Sequence, residues 1–272
     1  MSKAKAILAY SAVAKTAFSG ALEYRADFLF GLLSKGFPVV IQWYMWTAIF
    51  RNSQSAAVHG YSYGQMILYS VLAPLVSGLV AVSAHYQIAD EIKNGRHSMY
   101  IVMPVRHFFF KLSEHIGGKC ADAVFLAALL AAAYAVFASL GYVSPDAGGI
   151  LAFALTAALA ALLQFLISYA LAAAAFWMGD CGGIFTVANI AMLIASGGVF
   201  PLDIFGGALL GVFRRLPFYY ITYFPLGIII GRVAPEAMAK GLAAMAAWAV
   251  ALAIAGRLAW RQGEKRYIAA GG

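Results

Sequence analysis

The sequence contains very few charged residues and only two cysteines. Charged side chains make up 11% of its 272 residues and hydrophobic ones 63%, whereas soluble domains are about one-quarter charged and about one-half apolar. This composition excludes an ordinary water-soluble fold. Cys120 and Cys181 both lie beside long apolar runs, which indicates small packing residues rather than a disulfide framework.

The sequence also lacks the motifs of a nucleotide or catalytic site. No G-x-x-x-x-G-K-[ST] loop is present to cradle nucleotide phosphates. The histidines are scattered, and there is no H-E-x-x-H motif, no zinc-type Cys/His spacing and no G-x-S-x-G turn. We therefore expect that the chain is not an enzyme and holds neither a metal nor a cofactor of its own.

Ionisable groups are almost absent from the apolar runs. The second and fourth runs contain none, and Asp122 lies only at the rim of the third. Carriers that couple transport to protons or ions usually bury acids or bases near the bilayer midplane. Their scarcity here argues against a secondary transporter and favours a path driven from outside the spans.

The apolar residues come in runs of about 20, the length that an α-helix needs to cross a hydrocarbon core about 30 Å thick. We predict a single-domain, all-α integral membrane protein with six transmembrane helices, preceded by an amphipathic surface helix over residues 3–24. The predicted spans cover 28–50, 63–84, 121–140, 150–177, 184–200 and 238–260. The domain over 1–272 then divides into 1–27 (surface helix), 28–200 (helices 1–5), 201–235 and 236–272 (helix 6 and tail).

The region 201–235 is too apolar for an ordinary loop and too rich in proline and glycine for one clean span. Backbone that does not span is tolerated at membrane depth only when it is buried in protein or lines a cavity. We therefore predict a re-entrant helical hairpin between helices 5 and 6. The alternative is a seventh span over 219–231, which at about 13 residues is short for a crossing.

The distribution of Lys and Arg predicts the orientation. With six spans, thirteen of these residues fall on the side that holds both termini and the loop 85–119, and five on the other side. Cytoplasmic loops carry the excess of Lys and Arg, so we predict a multi-pass protein of the cell (cytoplasmic) membrane with both termini in the cytoplasm. The net charge of +8 is then explained by topology and by contact with membrane lipids, and nucleic acid is not an expected partner.

One charged segment of the cytoplasmic loop has the pattern of a short helix. Residues 88–96 place charges between isoleucines and end in Asn94-Gly95, which is typical of a helix C-terminus. The pattern leaves Asp90, Glu91 and Lys93, followed by Arg96, available to a partner protein. The alternative is a solvated connector with no partner.

Short motifs follow one another in a fixed order along nearly the whole chain. They are Glu23-Tyr-Arg25, Ile92-Lys-Asn-Gly95, Met103-Pro104, Gly198-Val-Phe-Pro201-Leu, Leu216-Pro-Phe218, Phe224-Pro225-Leu-Gly227 and Trp260-Arg-Gln-Gly263-Glu-Lys-Arg-Tyr267. Together they resemble the ABC-2 type transporter permeases, in the branch of six-helix subunits that are paired with a separate ATPase and often with a second permease. Each motif is short, and the resemblance depends on their order and spacing.

The resemblance implies a role for three segments. It implies that 3–24 is a connecting helix at the cytoplasmic surface, that 86–97 is a coupling helix docked on the ATPase, and that 201–225 is a re-entrant cap. The residues that carry these roles are Glu23 and Arg25 for the connecting helix; Asp90, Glu91, Lys93, Asn94, Gly95 and Arg96 for the coupling helix; and Pro201, Pro217, Phe218 and Pro225 for the cap. ATP and magnesium would be bound by a dimer of ATPase subunits, and the second permease would be a paralogue or an identical copy.

The expected function is export of a hydrophobic or amphipathic compound, such as an antibiotic, a drug or a lipid-like molecule. The main alternative is export of a polysaccharide or a lipid-linked glycan, which would use aromatic side chains along the channel. The aromatic residues that fit either cargo are Trp43, Trp46, Tyr69, Tyr169, Phe176 and Trp177. A membrane-embedded enzyme or a passive scaffold is the alternative from another class.

Overall fold

The computed structural model describes residues 3–23, 25–53, 57–103, 105–143 and 146–267, and most of them are helical. The α-helices in this part of the chain are α1 (Lys3–Glu23), α2 (Arg25–Asn52), α3 (Tyr63–Val80), α4 (Ala84–Lys93), α5 (Ser98–Val102), α6 (His107–Ser139), α7 (Ala147–Ala172), α8 (Gly182–Ala195), α9 (Gly206–Phe213), α10 (Tyr223–Ile229) and α11 (Pro235–Glu264). Two short antiparallel strands, β1 (Ala57–Val58) and β2 (Tyr61–Ser62), form a hairpin between α2 and α3. The sequence did not predict this hairpin.

Three helical segments of the described residues are long and apolar enough to cross a membrane. They are Tyr63–Lys93, Ala147–Phe176 and Pro235–Glu264. A fourth candidate is α6, whose parts His107–Cys120 and Ala123–Ser139 meet at 48°. These segments support an all-α membrane protein, whereas the predicted total of six spans would also require α2 and the 14-residue α8 and stays a prediction.

The central element of the bundle is α3. Ser62 starts it with a capping box, in which the Gln65 amide donates to Ser62 Oγ and the Ser62 amide donates to Gln65 Oε1. Of the apolar stretch of α3, 56% is buried, against 11% for α11. Tyr69 of α3, Leu163 of α7 and Leu226 of α10 belong to one core cluster. The outer face of α11 is therefore left for lipid or another chain.

The region between Pro201 and Gly231 contains no continuous span. It consists of a 3-10 turn at Leu202–Phe205, α9, a second 3-10 turn at Pro217–Tyr220 and α10. The buried helix α10 has seven residues and is therefore about 10 Å long. The chain therefore does not form one helix over 219–231, which the alternative of a seventh span required, and the re-entrant hairpin stays a prediction.

The N-terminal helix α1 packs against the first half of α6. The hydroxyl oxygen of Tyr10 accepts a hydrogen bond from the Arg106 amide at 3.1 Å. A Cβ added to Gly117 would lie only 2.0 Å from the carbonyl oxygen of Ala14, so the two backbones approach as closely as glycine permits. The amphipathic pattern predicted a helix over 3–24, and the structure adds its partner in this chain.

The charged stretch 85–119 is folded rather than an open loop. It contains α4, α5 and the beginning of α6, which starts at His107 and not at residue 121 as the apolar run predicted. The helix predicted over 88–96 is α4, which begins earlier, at Ala84, and ends at Lys93. Gly95 follows with a φ of +75°, a conformation that glycine adopts easily.

Candidate functional site

Helix α4 has one face inside the protein and one face outside. His85, Ile88 and Ile92 are buried, and the helix packs mainly on α7. Asp90 and Lys93 are exposed on the other face. Helix α4 thus carries an exposed polar surface on its outer face.

An ion-pair network buried inside the chain joins α4 to α6. Lys111 Nζ lies 2.6 Å from Glu91 Oε1 and 2.8 Å from Glu114 Oε2. The Gln87 amide donates to Glu114 Oε1 at 3.0 Å. Only 2% of the Lys111 side chain and 10% of the Glu91 side chain are exposed, so the pair is shielded from water and from any partner.

The Glu91 carboxyl lies between a lysine and a histidine of α6. Lys111 is the hydrogen-bonded partner, because His107 Nε2 lies 4.0 Å from Glu91 Oε2, too far for a hydrogen bond. A carboxylate at Glu91 therefore stabilises the contact between α4 and α6.

The exposed end of α4 has its own polar contacts. The guanidinium of Arg96 pairs with the Asp90 carboxylate, and the Asn94 amide donates to Asp90 Oδ1 at 2.8 Å. The backbone N–H groups of Asn94 and Gly95 close the helix by donating hydrogen bonds to the carbonyls of Asp90 and Ile92, respectively. These contacts define a small surface, the α4 tip, which comprises Asp90, Lys93, Asn94, Gly95 and Arg96.

The structure therefore separates the six predicted coupling residues. Five of them form the α4 tip, whereas Glu91 points inward and is 8% exposed, so our interpretation that Glu91 is available to a partner does not agree with its position. The spacing of Ile88, Glu91 and Ile92 at i, i+3 and i+4 puts all three on one helical face. This spacing could have indicated an inward position from the sequence.

A cluster of histidines and aromatic rings lies behind this network, and sequence reasoning missed it. The rings of His97 and His107 lie 4.9 Å apart by their centroids, and both contact Trp260. Trp260 stacks on Tyr169 at 4.5 Å and donates its Nε1 proton to the Tyr169 carbonyl. Four segments of the chain, the α4–α5 connection, α6, α7 and α11, meet here, which the scattered histidine positions did not reveal.

His97 is neutral at physiological pH. Burial lowers the pKa of its imidazole to about 4, and the neighbouring His107 adds to this effect while Glu91 opposes it. Both ring nitrogens of His97 lack a hydrogen-bond partner among the described residues. Glu264 Oε1 is 3.7 Å from His97 Nε2, beyond hydrogen-bonding distance.

The predicted connecting-helix residues lie at a helix junction. Glu23 is the last residue of α1, and Arg25 is the first residue of α2. Their side chains, and Tyr24 between them, lie outside what the structure describes. The predicted charge at the junction of the surface helix and the first span thus stays a prediction.

The four predicted cap residues lie at the ends or the interior of short helices. Pro201 precedes the first 3-10 turn, Pro217 and Phe218 begin the second, and Pro225 lies inside α10. Pro201, Pro217 and Pro225 are buried, and Phe218 is half-buried. They shape the backbone, and two hydrogen bonds of the cap depend on a residue that the sequence analysis did not select.

That residue is Asp203, which holds the cap to the β-hairpin. Asp203 Oδ2 accepts hydrogen bonds from the hydroxyls of Tyr61 and Tyr223, each at 2.6 Å. The guanidinium of Arg232 lies 3.6 Å above the Tyr61 ring and donates to the Gly60 carbonyl. A lone acidic residue in an apolar region is a signal that could have identified this site.

The described residues thus combine three helical segments long and apolar enough to cross a membrane with a folded polar surface on α4. The chain belongs to the ABC-2 family transporter proteins, since the model of that family matches residues 37–271. The resemblance seen in the sequence motifs is confirmed. No match was found among curated proteins or among solved structures.

Membership in this family gives a coarse function. The chain is a membrane transport subunit of an ABC system, of the kind that generally works with an ABC ATPase. The family and the apolar helices also support a multi-pass membrane protein.

Proposed function

We propose that this chain is the membrane-spanning subunit of an ATP-driven exporter and moves a hydrophobic or amphipathic compound outward. It works in a dimer of permeases with a separate pair of ATPase subunits, which bind the ATP and magnesium. The proposal also includes six spans with both termini in the cytoplasm and a re-entrant cap over 201–225.

The observation that carries the proposal is the α4 tip. Its charged and amide groups stand exposed at the end of a short helix, while the opposite face of α4 is fixed to α6 and α7 by burial and by the Lys111–Glu91 pair. A push on such a helix is transmitted to the spans, because packed cores deform little. This is the property that a segment driven by a partner ATPase needs.

The aromatic residues favour a hydrophobic cargo over a glycan. A glycan path would need aromatic faces exposed along the channel, but Trp46, Tyr69 and Tyr169 are at most 7% exposed. Only Trp43 and Trp177 of the predicted set expose more than a third of their surface. A glycan exporter is therefore the second candidate, and stimulation of ATP hydrolysis by glycans alone would favour it.

The test is site-specific crosslinking in cells that contain the native partners. A photoreactive amino acid replaces Lys93 in the α4 tip or, as the matched control, the exposed Lys240 near the start of α11. We expect an ATP-binding protein to be captured at position 93 and not at position 240. Capture at neither position, or equal capture at both, in an assembled and membrane-inserted protein would contradict the proposed docking surface.

A further inference from the structure

A cavity of about 700 Å³ opens beside the histidine and aromatic cluster. Its walls come from the α5–α6 connection, the start of α6, the end of α7 and the last turns of α11. Both α7 and α11 belong to segments of membrane-crossing length. The cavity therefore lies near the end of the apolar part of the bundle, at the depth where lipid headgroups meet acyl chains.

Three guanidinium groups line the cavity from two different helical segments. Arg106 precedes α6, and Arg257 and Arg261 lie one helical turn apart on α11. All three are exposed, and none forms an ion pair with a carboxylate of the described residues. Glu264 also lines the cavity, so the wall keeps an excess of positive charge.

The remaining wall is apolar and aromatic. Tyr169 and Trp260 stack with each other at the inner side. Leu252, Ala253 and Gly256 line the side formed by α11. A site with basic groups at its rim and an apolar interior matches a ligand that has an anionic head and an apolar tail.

The outer face of α11 continues this apolar surface. Val250, Ile254 and Leu258 are spaced four residues apart, and each is more than half exposed. Residues at this spacing lie on one side of a helix. Acyl chains that cover this stripe would bring a headgroup within reach of Arg257 and Arg261, which lie three residues beyond Ile254 and Leu258.

We propose that this cavity binds one anionic phospholipid from the membrane leaflet at this end of the bundle. Its phosphate pairs with Arg106, Arg257 and Arg261, since the planar guanidinium suits bidentate phosphate binding. Its acyl chains lie along the apolar wall of the cavity and the outer stripe of α11. The bound lipid would join α6 to α11 across the cavity, independently of which compound the protein transports.

The test is native mass spectrometry of the purified full-length protein with phosphatidylglycerol and phosphatidylcholine that carry identical chains. Because the two lipids carry the same chains, a difference in their binding reflects the headgroup. We expect the wild type to retain phosphatidylglycerol preferentially, with each guanidinium contributing about fivefold to the preference. The double variant R257Q/R261Q should lose most of the preference, and R106Q, on a different segment, should lose part of it.

The matched control for R257Q/R261Q is R214Q/R215Q, which removes the same two positive charges at exposed arginines that do not line the cavity. This control should keep the wild-type preference for phosphatidylglycerol. Inorganic phosphate, added in excess, should not displace the lipid.

Three results would overturn the proposal. They are equal retention of both lipids by the wild type, equal losses in R257Q/R261Q and the control, and displacement by inorganic phosphate, which would indicate a site for free anions. If R257Q/R261Q does not fold, R106Q against the control decides the matter.

Discussion

Lys111 Nζ lies 2.6 Å from Glu91 Oε1, and this contact fixes α4 to α6 inside the protein. Glu91 was expected to meet an ATPase, but its partner is a lysine 20 residues further along the same chain. If the substitution Glu91→Lys weakened association with an ATPase, the cause could be the broken Glu91–Lys111 pair inside the protein or a lost docking contact. This substitution therefore cannot distinguish the two. The α4 tip, not Glu91, is the place to test docking.

The buried Lys111–Glu91 pair should contribute to the stability of the folded protein. Glu91→Ala should lower the free energy of unfolding in detergent by about 3 kcal/mol, because it leaves Lys111 buried with only one of its two carboxylates. The control Asp90→Ala removes an exposed pair with Arg96 and should cost less than about 1 kcal/mol. Equal losses in chemical denaturation would contradict the assignment of Glu91 to the interior.

The contact between α1 and α6 predicts opposite effects at two adjacent glycines. Gly117→Ala would place a methyl group against the Ala14 carbonyl and should destabilise the protein by about 2 kcal/mol through overpacking. Gly118→Ala meets no atom within 4 Å and should be neutral or stabilising, since alanine favours helix by about 1 kcal/mol over glycine. Thermal unfolding of both variants checks the contact, and a loss confined to Gly118→Ala would refute it.

The hydrogen bonds to Asp203 should stabilise the cap. Asp203→Ala removes the acceptor for both the Tyr61 and Tyr223 hydroxyls and should cost about 3 kcal/mol, because both groups are left buried without it. The control Asp180→Ala removes an exposed carboxylate that accepts a hydrogen bond from the Gly182 backbone amide and should cost less than about 1 kcal/mol. Limited proteolysis within 201–231 should be faster in Asp203→Ala than in the wild type and unchanged in the control. An unchanged cleavage rate in Asp203→Ala would contradict the role of Asp203 in stabilising the cap.

The His97 environment predicts a loss of stability in acid. The pKa of His97 is lowered from 6.5 to about 4, so on acidification the unfolded chain binds a proton before the folded protein does. The stabilising contribution is complete above pH 6.5 and is lost as the pH falls toward 4, by at most about 3 kcal/mol. Unfolding temperatures measured across this range should fall less steeply in His97→Phe than in the wild type, and equal slopes would exclude this role.

The proposed orientation predicts unequal labelling of two loops. In a background without Cys120 and Cys181, a cysteine at Asp146, which caps α7, should react with a membrane-impermeant thiol reagent in intact cells. A cysteine at Asn94 in the α4 tip should react only after the cells are opened, because it faces the cytoplasm in this topology. Labelling of Asn94 in intact cells would reverse the proposed orientation.

Sequence patterns predicted the type of protein and most of its helices, because the length of an apolar run is a local property. The break after α4 was predicted at Asn94-Gly95, and α4 ends there. The motifs also indicated the ABC-2 family, which the match over residues 37–271 confirms. The number of spans stays a prediction, because the 14 residues of α8 are fewer than a crossing requires.

The sequence by itself determined that the chain is a helical membrane protein, because its apolar composition does not suit a water-soluble domain. The tertiary structure alone decided which charges face inward. Glu91 and Lys111 are 20 residues apart in sequence, and only the tertiary fold brings them to hydrogen-bonding distance. The same holds for Asp203 and Tyr61, which are separated by 142 residues. Local patterns describe one helix at a time, whereas these contacts depend on how helices pack together.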